Sequence, residues 1–207
     1  MSTFLQRFRS FLPSRGFTLT ELVVVIAIMT ALTGVFLTQQ RQFDSTTLLR
    51  SLAYSVALSI REAQTYGTSV RAFGTEFPAY GVYFNINAPT EYILFADVDD
   101  DGQYAGDSTE FVESYEFQGN YTIGAVCGMW QSTEQCASSA VPWMAITFRR
   151  PNPDACIAMD FNPNVCGSSN TSLYSQAYIQ IEGPGGRMRN VSVTPSGQIS
   201  VGNAEDD

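Results

Sequence analysis

The chain has 207 residues, of which 44% are apolar and 13% aromatic, a globular composition that excludes a disordered tail protein or a low-complexity fibre. Its formal charge is −9, and all eleven positive side chains are Arg because the sequence contains neither Lys nor His. These absences exclude Ser-His-Asp and Cys-His nucleophile pairs, the phosphate-binding lysine of P-loops, Schiff-base chemistry and His-ligated zinc. An enzyme is therefore not expected.

The first predicted element is a membrane-spanning helix. Residues 22–37 carry no formal charge, and Glu21 is the only charged residue between Phe17 and Arg41. About 20 mostly apolar residues rise ~30 Å as a helix, which is the thickness of the hydrocarbon core of a bilayer. We predict a transmembrane segment over residues 17–38, at the start of a helix over residues 17–67.

The residues before this helix predict its orientation and its processing. Arg7, Arg9 and Arg15 make residues 1–16 positive, with no acidic residue among them, so the N-terminus is expected in the cytoplasm and the C-terminal domain across the membrane. A secretory signal has its small-residue cleavage site after the apolar stretch. Here Gly16 precedes that stretch, so a cut after it would remove residues 1–16 as a leader and leave the helix attached.

The run RGFTLTEL, followed by VVVIAIMTAL, resembles the class III signal of type IV pilins and type II secretion pseudopilins. The resemblance implies that prepilin peptidase cuts between Gly16 and Phe17, that Phe17 is N-methylated, and that Glu21 acts in assembly. It also implies a single-pass inner-membrane protein with a periplasmic or extracellular C-terminal domain. Its partners would be other pilins or pseudopilins, with which it would form a filament.

The cost of burying Glu21 agrees with a role in assembly. A carboxylate in a membrane helix costs ~2.5–3.5 kcal/mol at mid-bilayer and less near the edge. The amine that cleavage creates at Phe17 lies about one helical turn from Glu21, and in a staggered bundle the carboxylate of one subunit can meet the amine of the next. A carboxylate at a helix N-terminus is also favoured by the helix macrodipole, so a purely local role stays open.

Beyond a polar stretch, the sequence predicts an amphipathic continuation of the helix over residues 44–67. Apolar residues recur there at spacings of three and four, and the helix should end near Gly67. The predicted buried stripe consists of Leu49, Leu52, Ala53, Val56, Ile60 and Ala63.

From residue 68 onward the period changes to two, which predicts short strands between turn residues. A run of strands after one long helix indicates an α+β fold, in which the helix packs on an antiparallel β-sheet domain over residues 68–207 with one core. The predicted strands cover residues 70–73, 80–84, 92–96, 111–117, 122–126, 144–148, 155–159, 177–181, 189–193 and 199–201.

Three stretches are similar to GspH/FimT-type minor pilins and pseudopilins. They are the helical segment 48–70, the strand and acidic loop 92–102, and the closing segment 187–201 with its turn at Ser196-Gly197. The resemblance implies a minor subunit of a pilus or a secretion pseudopilus. Residues 126–167 match nothing in this pattern and are expected to form an insertion.

Two alternative functions stay open, a DNA-binding minor pilin of DNA uptake and a membrane-anchored binding domain that never polymerises. The candidate DNA contacts are Arg149, Arg150, Arg187 and Arg189. After loss of the leader, however, eight Arg face twenty acidic residues, a net charge of −12. Because DNA binding depends on phosphate neutralisation, DNA is not the expected partner.

The segment from Asp97 to Glu110 has the composition of a calcium site. Alternating carboxylates followed by Gly102 reproduce the first seven positions of an EF-hand loop. The twelfth position, which normally supplies a bidentate acid, is Ser108, so a neighbouring acid would have to replace it. The alternative is an acidic, solvated hairpin loop with Asp/Gly turn chemistry. The candidate Ca²⁺ ligands are Asp97, Asp99, Asp101, Gln103, Asp107 and Glu110.

Four cysteines lie on the predicted translocated side, where disulfides persist. Three pairings are formally open, and proximity favours Cys127 with Cys136 and Cys156 with Cys166. A Cys₄ zinc site is the competing hypothesis, but these spacings lack the close Cys pairs that zinc sites use.

Overall fold

The structure is a computed structural model that describes residues 16–159, 166 and 174–203, without the side chains of residues 38–44. The chain divides into two compact units, Met1–Phe43 and Asp44–Asp207. Its helix is α1 (Leu19–Thr68), and its strands are β1 (Ala79–Asn85), β2 (Glu91–Asp97), β3 (Phe111–Glu116), β4 (Thr122–Trp130), β5 (Thr133–Cys136), β6 (Trp143–Phe148), β7 (Ala155–Ala158), β8 (Gln176–Gly183), β9 (Arg187–Val193) and β10 (Ile199–Asn203).

The first part of α1 exposes its apolar side chains. The stretch Leu19–Leu37 is long and apolar enough to cross a membrane, and none of it is buried. The hydroxyls of Thr30 and Thr33 donate to main-chain carbonyls one turn earlier, at 2.9 and 2.7 Å. These hydroxyls therefore present no unpaired donor to an apolar environment.

The second part of α1, which belongs to the unit Asp44–Asp207, buries one face in the β domain. The buried positions follow each other at spacings of four and three, as expected for one face of a helix. They form the stripe predicted from the sequence, except that Leu52 is only partly buried. The fully buried members are Leu49, Ala53, Val56, Ile60 and Ala63.

The strands form two five-stranded antiparallel sheets rather than the single sheet expected. The first has the order β3-β2-β1-β6-β7, and the second has the order β10-β9-β8-β4-β5. The residues of β8 alternate between buried and half-buried, the pattern of a strand with one covered face. The predicted α+β class, a helix combined with antiparallel strands, is confirmed.

A large cluster of buried apolar side chains joins α1 to both sheets, with Val56, Phe84 and Ile179 among its members. A second, smaller cluster covers the other face of the first sheet. Leu94 belongs to the large cluster and its neighbour Phe95 to the small one, and adjacent residues of a strand point to opposite faces. The β domain therefore has one large core and a smaller cluster on the other face of the first sheet.

Two further details differ from the sequence predictions. Residues 70–73 form no strand, and only Phe73 makes an isolated bridge, with Glu76. Thr133–Cys136 forms β5 although its polar sequence lacks an alternating pattern. Within the segment 126–167, which the sequence suggests as an insertion, the described residues supply the fully buried strands β6 and β7 to the first sheet.

A buried glutamine holds the end of α1 against two connections of the β domain. Gln64 is 5% exposed, and its Nε2 donates to the main-chain oxygens of Pro153, at 2.8 Å, and Gly197, at 3.0 Å. Gly197 lies in the turn between β9 and β10 with φ +78°, and a Cβ there would lie 2.1 Å from the Pro153 oxygen. Both the backbone conformation and the close approach therefore require glycine.

We predict that Gly197→Ala lowers the free energy of unfolding of the β domain by about 2–5 kcal/mol, because it adds a steric clash to an unfavourable backbone conformation. Gly185→Ala is the matched control, since Gly185 also has positive φ (+83°) but a Cβ there would meet nothing within 4 Å. Only the backbone cost of about 1–2 kcal/mol is expected for it. Thermal melts of the detergent-solubilised chain, followed by circular dichroism, measure both. Equal melting temperatures would contradict the close contact at Gly197.

Candidate functional site

The predicted processing site lies in an exposed segment before α1. A Cβ at Gly16 would meet nothing within 4 Å, and Phe17 is 79% exposed. The other leader residues, 1–15, lie outside the described part of the chain. The peptide bond between Gly16 and Phe17 is therefore accessible, as proteolytic cleavage requires.

Thr18 caps the N-terminus of α1. Its Oγ1 accepts a hydrogen bond from the backbone N–H of Glu21 at 3.2 Å, so α1 begins at Leu19 rather than at Phe17. The sequence Thr-x-x-Glu at this position is the pattern of a capping box, a signal that the sequence analysis missed. The backbone of Glu21 thus takes part in the helix cap. Its side chain is exposed and stays a candidate for a contact with a neighbouring subunit.

The acidic loop joins β2 to β3, and two carboxylates are buried at its base. Asp97, the last residue of β2, is 1% exposed, and Glu110, directly before β3, is 2% exposed. Each accepts two hydrogen bonds from the loop backbone, so the two side chains hold the loop in its conformation. The donors are the N–H groups of Asp101 and Gly102 to Asp97, at 3.0 and 3.1 Å, and of Val98 and Ala105 to Glu110, at 3.2 and 2.9 Å.

Arg149, the residue after β6, brings a positive charge to this loop. Its Nη2 lies 3.5 Å from Asp97 Oδ2 and forms an ion pair with Asp100. The Arg149 side chain is 23% exposed, whereas that of Asp97 is completely buried. The sequence analysis missed this partner because strand pairing, rather than proximity along the chain, brings β6 beside the loop.

The structure brings together three of the six predicted calcium ligands. Carboxylate oxygens of Asp97, Asp99 and Glu110 all lie within 4.8 Å of one another. Ca²⁺ binds six to eight oxygens and prefers carboxylates, so these three side chains alone would not complete a coordination shell.

The other three predicted ligands take part in local turns. Asp101 Oδ1 accepts from the backbone N–H of Gln103 at 2.7 Å. The carboxylate of Asp107 accepts from both the backbone N–H and the hydroxyl of Thr109, at 2.9 and 2.5 Å. These contacts are the Asp turn chemistry of the alternative interpretation. Most of the loop is exposed or half-buried, as the alternative interpretation expects, but Asp97 and Glu110 at its base are buried.

Burial shifts the titration of the loop carboxyls. It raises the pKa of Asp97 to about 7, even though the hydrogen bond from Gly102 and the charge of Arg149 act in the opposite direction. Burial also raises the pKa of Glu110. Hydrogen bonds from Thr109 lower the pKa of Asp107. One carboxyl of the loop therefore titrates near neutral pH.

Two disulfides join the four cysteines. One links Cys127 to Cys136 at opposing positions of β4 and β5, and the other links Cys156 of β7 to Cys166. These are the pairs that proximity along the sequence favours. No thiolate remains to ligate zinc, so the competing zinc hypothesis was wrong.

The acidic loop packs against the second disulfide. Gly102 has φ +75°, and a Cβ there would lie 2.4 Å from the Cβ of Cys166. Only glycine allows the loop to turn at this distance from the disulfide. Cys156–Cys166 and the loop are thus neighbours on the outer face of the first sheet.

The four candidate DNA-binding arginines lie in two separate places. Arg149 and Arg150 follow β6 of the first sheet, and Arg187 and Arg189 lie on β9 of the second. Arg149 is paired with carboxylates, Arg150 donates to a main-chain oxygen, and Arg187 donates to hydroxyls of α1. These three arginines are therefore engaged by groups of the chain itself.

Residues 13–37 match the family model of the prokaryotic N-terminal methylation motif. The matched segment contains Gly16, Phe17 and Glu21 and extends to the end of the apolar part of α1. The motif supports a type IV pilin-like family and indicates processing by prepilin peptidase. No curated protein and no solved structure matches the chain significantly.

We predict that, without divalent cations, the β domain loses stability as the pH rises from about 5 to 8. The pKa of Asp97 rises from 3.8 to about 7 on folding, so between these values the folded state binds the proton more tightly than the unfolded state. Ionising the buried carboxyl then costs about 1.4 kcal/mol per unit of pKa difference. Melting temperatures in chelator-containing buffers across this range measure the effect.

Two variants test the assignment of this pH dependence. Asp97→Asn should flatten the dependence, whereas Asp107→Asn should leave it unchanged because the pKa of Asp107 is lowered, away from this range. A wild-type melting temperature that rises between about pH 5 and 8 would contradict the burial of a titrating Asp97.

Proposed function

We propose that this chain is a structural, non-catalytic subunit of a type IV pilus or a type II secretion pseudopilus. The observation that carries the proposal is the N-terminal methylation motif over residues 13–37, which includes an accessible Gly16–Phe17 bond and an exposed apolar helix. Prepilin peptidase would cut between Gly16 and Phe17, and the new N-terminus at Phe17 would be methylated.

The apolar part of α1 is the proposed assembly element. None of the stretch Leu19–Leu37 is buried, so its apolar side chains need an apolar cover. Lipid supplies this cover in the inner membrane, and the helices of neighbouring subunits supply it in a filament. Because both environments are apolar, transfer from one to the other carries little hydrophobic cost, and close packing can drive it.

Glu21 is the proposed determinant of register between subunits. Cleavage gives Phe17 a cationic amine, and methylation leaves that charge in place. In an apolar surrounding the pairing of this amine with the Glu21 carboxylate of a neighbour would be much stronger than in water. The same carboxylate lies at the capped N-terminus of α1, where the macrodipole also favours it.

The proposed place of the chain is that of a minor subunit of the GspH/FimT type. Three features support this: the helical segment that packs on the domain, the acidic loop after β2, and the closing hairpin β9–β10 with Ser196-Gly197 in its turn. The domain would face the periplasm or the exterior, where its two disulfides persist.

Two other functions, DNA uptake and a membrane-anchored binding domain, predict different behaviour in DNA-binding and filament assays. Salt-dependent retention of DNA by the purified chain would support a DNA-uptake pilin, but the engagement of Arg149, Arg150 and Arg187 within the chain argues against this function. A membrane-anchored binding domain that never polymerises would be processed without entering filaments.

We also propose a Ca²⁺ site at the acidic loop, because Asp97, Asp99 and Glu110 converge there. Asp101, Gln103 and Asp107 would join the coordination shell only if the loop rearranged, since they are engaged in turns. Arg149 would compete with the ion for Asp97, which lies 3.5 Å from it.

We predict that Glu21→Ala and Glu21→Gln both abolish filament incorporation while membrane levels stay normal. Gln retains the capping-box pattern but carries no charge, so it separates pairing with the neighbouring amine from capping. Thr18→Ala removes the hydroxyl that caps Glu21 N–H and should assemble nearly normally. Sheared filament fractions and membrane fractions, compared by immunoblot, measure both quantities.

The opposite ranking of the variants would contradict the role of Glu21 in register. If Glu21→Gln assembles like the wild type and Thr18→Ala does not, the carboxylate acts only through the helix cap.

We predict that millimolar Ca²⁺ raises the melting temperature of the chain at about pH 8 but much less at about pH 5, where the buried Asp97 is protonated. Asp99→Asn should remove the Ca²⁺ effect, and Asp154→Asn, at an exposed acid outside the loop, should retain it. Melting curves with Ca²⁺ and with chelator that coincide at both pH values would rule the site out.

A further inference from the structure

An apolar groove runs between α1 and the edge strand β3 within the unit Asp44–Asp207. It has a volume of about 820 Å³, and we refer to it as the α1–β3 groove. One wall is Leu48 and Leu52 of α1, and the other is Tyr115 and Phe117. Leu48 is 54% exposed, so apolar surface at this groove remains open to solvent.

Two acidic side chains contact Tyr115 in the groove wall, and we call them, together with Glu116, the acidic rim of the groove. The Tyr115 hydroxyl lies 3.2 Å from Glu62 Oε2 and 3.1 Å from Glu113 Oε2. Because a phenol has one proton, it can donate to only one of these carboxylates at a time. Glu62 also accepts a hydrogen bond from the Tyr66 hydroxyl, whereas the Tyr115 hydroxyl is common to both acids.

Glu116 adds to this negative rim. It lines the groove and lies directly opposite Glu91 in the pairing of β2 with β3, and like charges at directly opposed positions destabilise a sheet. Among the described residues no ion pair involves Glu62, Glu113 or Glu116. The rim thus has the charge that a cationic partner would neutralise.

The solvent side of α1 carries a surface of opposite charge. Arg50, Tyr54, Leu58 and Arg61 follow each other at spacings of four and three and therefore share one helix face. All four are exposed, with Leu58 at 68% and Tyr54 at 46%. The guanidinium of Arg50 lies 5.7 Å from the ring centre of Tyr54. We call this face the Arg–apolar stripe.

We propose that the α1–β3 groove of one subunit receives the Arg–apolar stripe of a second copy of this chain. Tyr54 and Leu58 would cover the apolar walls, and Arg50 and Arg61 would meet the acidic rim, as in other helix-in-groove contacts. Groove and stripe are different surfaces, so the contact is heterologous and repeats from subunit to subunit, as a filament requires, instead of closing a two-fold dimer. The inference rests on the proposed filament function and names the contact between its subunits.

Photo-crosslinking of the full-length chain in its native membranes tests the contact. A photoreactive amino acid at Leu58 should yield a product of two copies, with the crosslinked peptide mapping by mass spectrometry to residues 114–119. The control position is Met188, which is 40% exposed on β9 of the other sheet, and it should give no crosslink to those residues. A Leu58 crosslink to a different protein, or to another part of the second copy, would overturn the proposal.

Reversing the charges of the acidic rim or of the stripe arginines tests whether electrostatic attraction holds the proposed contact. Glu113→Arg with Glu116→Arg, and separately Arg50→Glu with Arg61→Glu, should each reduce the Leu58 crosslink by about fivefold or more, because like charges then face each other. All four changes in one chain should restore it. Glu116→Arg alone leaves the contact between Tyr115 and Glu113 intact, and it should reduce the Leu58 crosslink less than the double variant does. Glu134→Arg, at an exposed acid on β5, is the control and should have no effect.

The possible results distinguish a failure of the proposed contact from a failure of the proposed filament function. If the combined variant keeps the wild-type melting temperature but does not regain the crosslink, the contact is wrong. If filaments form while Leu58 crosslinks elsewhere, the filament function stands and the groove is not its interface. If the chain is never cleaved after Gly16, both the function and the contact fail.

Discussion

The apolar surface of Leu19–Leu37 is the constraint on which the account depends. In the part of the chain that the structure describes, none of this stretch is buried. Transfer of such side chains out of water is worth about 25 cal/mol per Å², so the stretch needs lipid or neighbouring helices around it. The N-terminal methylation motif covers this same stretch. In the proposed function, processing, membrane insertion and filament assembly all depend on this single segment.

The two buried acids of the β domain accept hydrogen bonds from the domain's own backbone. Asp97 and Glu110 bind the backbone of the acidic loop, and Arg149 approaches from β6. The loop rests against the disulfide of Cys166 through Gly102. The sequence alone presents this acidic loop as a solvated turn or an ion site, and in the structure buried, hydrogen-bonded carboxylates also anchor it at its base. An ion at this loop would compete with an existing arginine.

The sequence predicted local features better than long-range ones. The stripe from Leu49 to Ala63 followed from helical spacing, and nine of the strands followed from alternation, because both patterns are local. The division into two sheets did not follow, since the pairing of β1 with β6 depends on contacts across the whole domain. β5 was missed because its sequence, TEQC, is short and polar.

The candidate site shows the same limit. Residue order predicted six calcium ligands, but Asp101 and Asp107 form turns with their own neighbours, and only three carboxylates converge. Arg149 was missed because it reaches the loop through sheet pairing. At the N-terminus, Gly16, Phe17 and Glu21 lie in a contiguous motif, so the sequence alone could suggest it, and residues 13–37 match the methylation motif. The cap by Thr18 was overlooked although its pattern is equally local.

The most direct test of the central claim is the mass of the N-terminal peptide of the chain recovered from native cells. The account predicts that this peptide begins at Phe17, carries one methyl group on its amine and lacks residues 1–16. Recovery of the mature chain with Met1 still attached, in the form that enters filaments, would contradict the account.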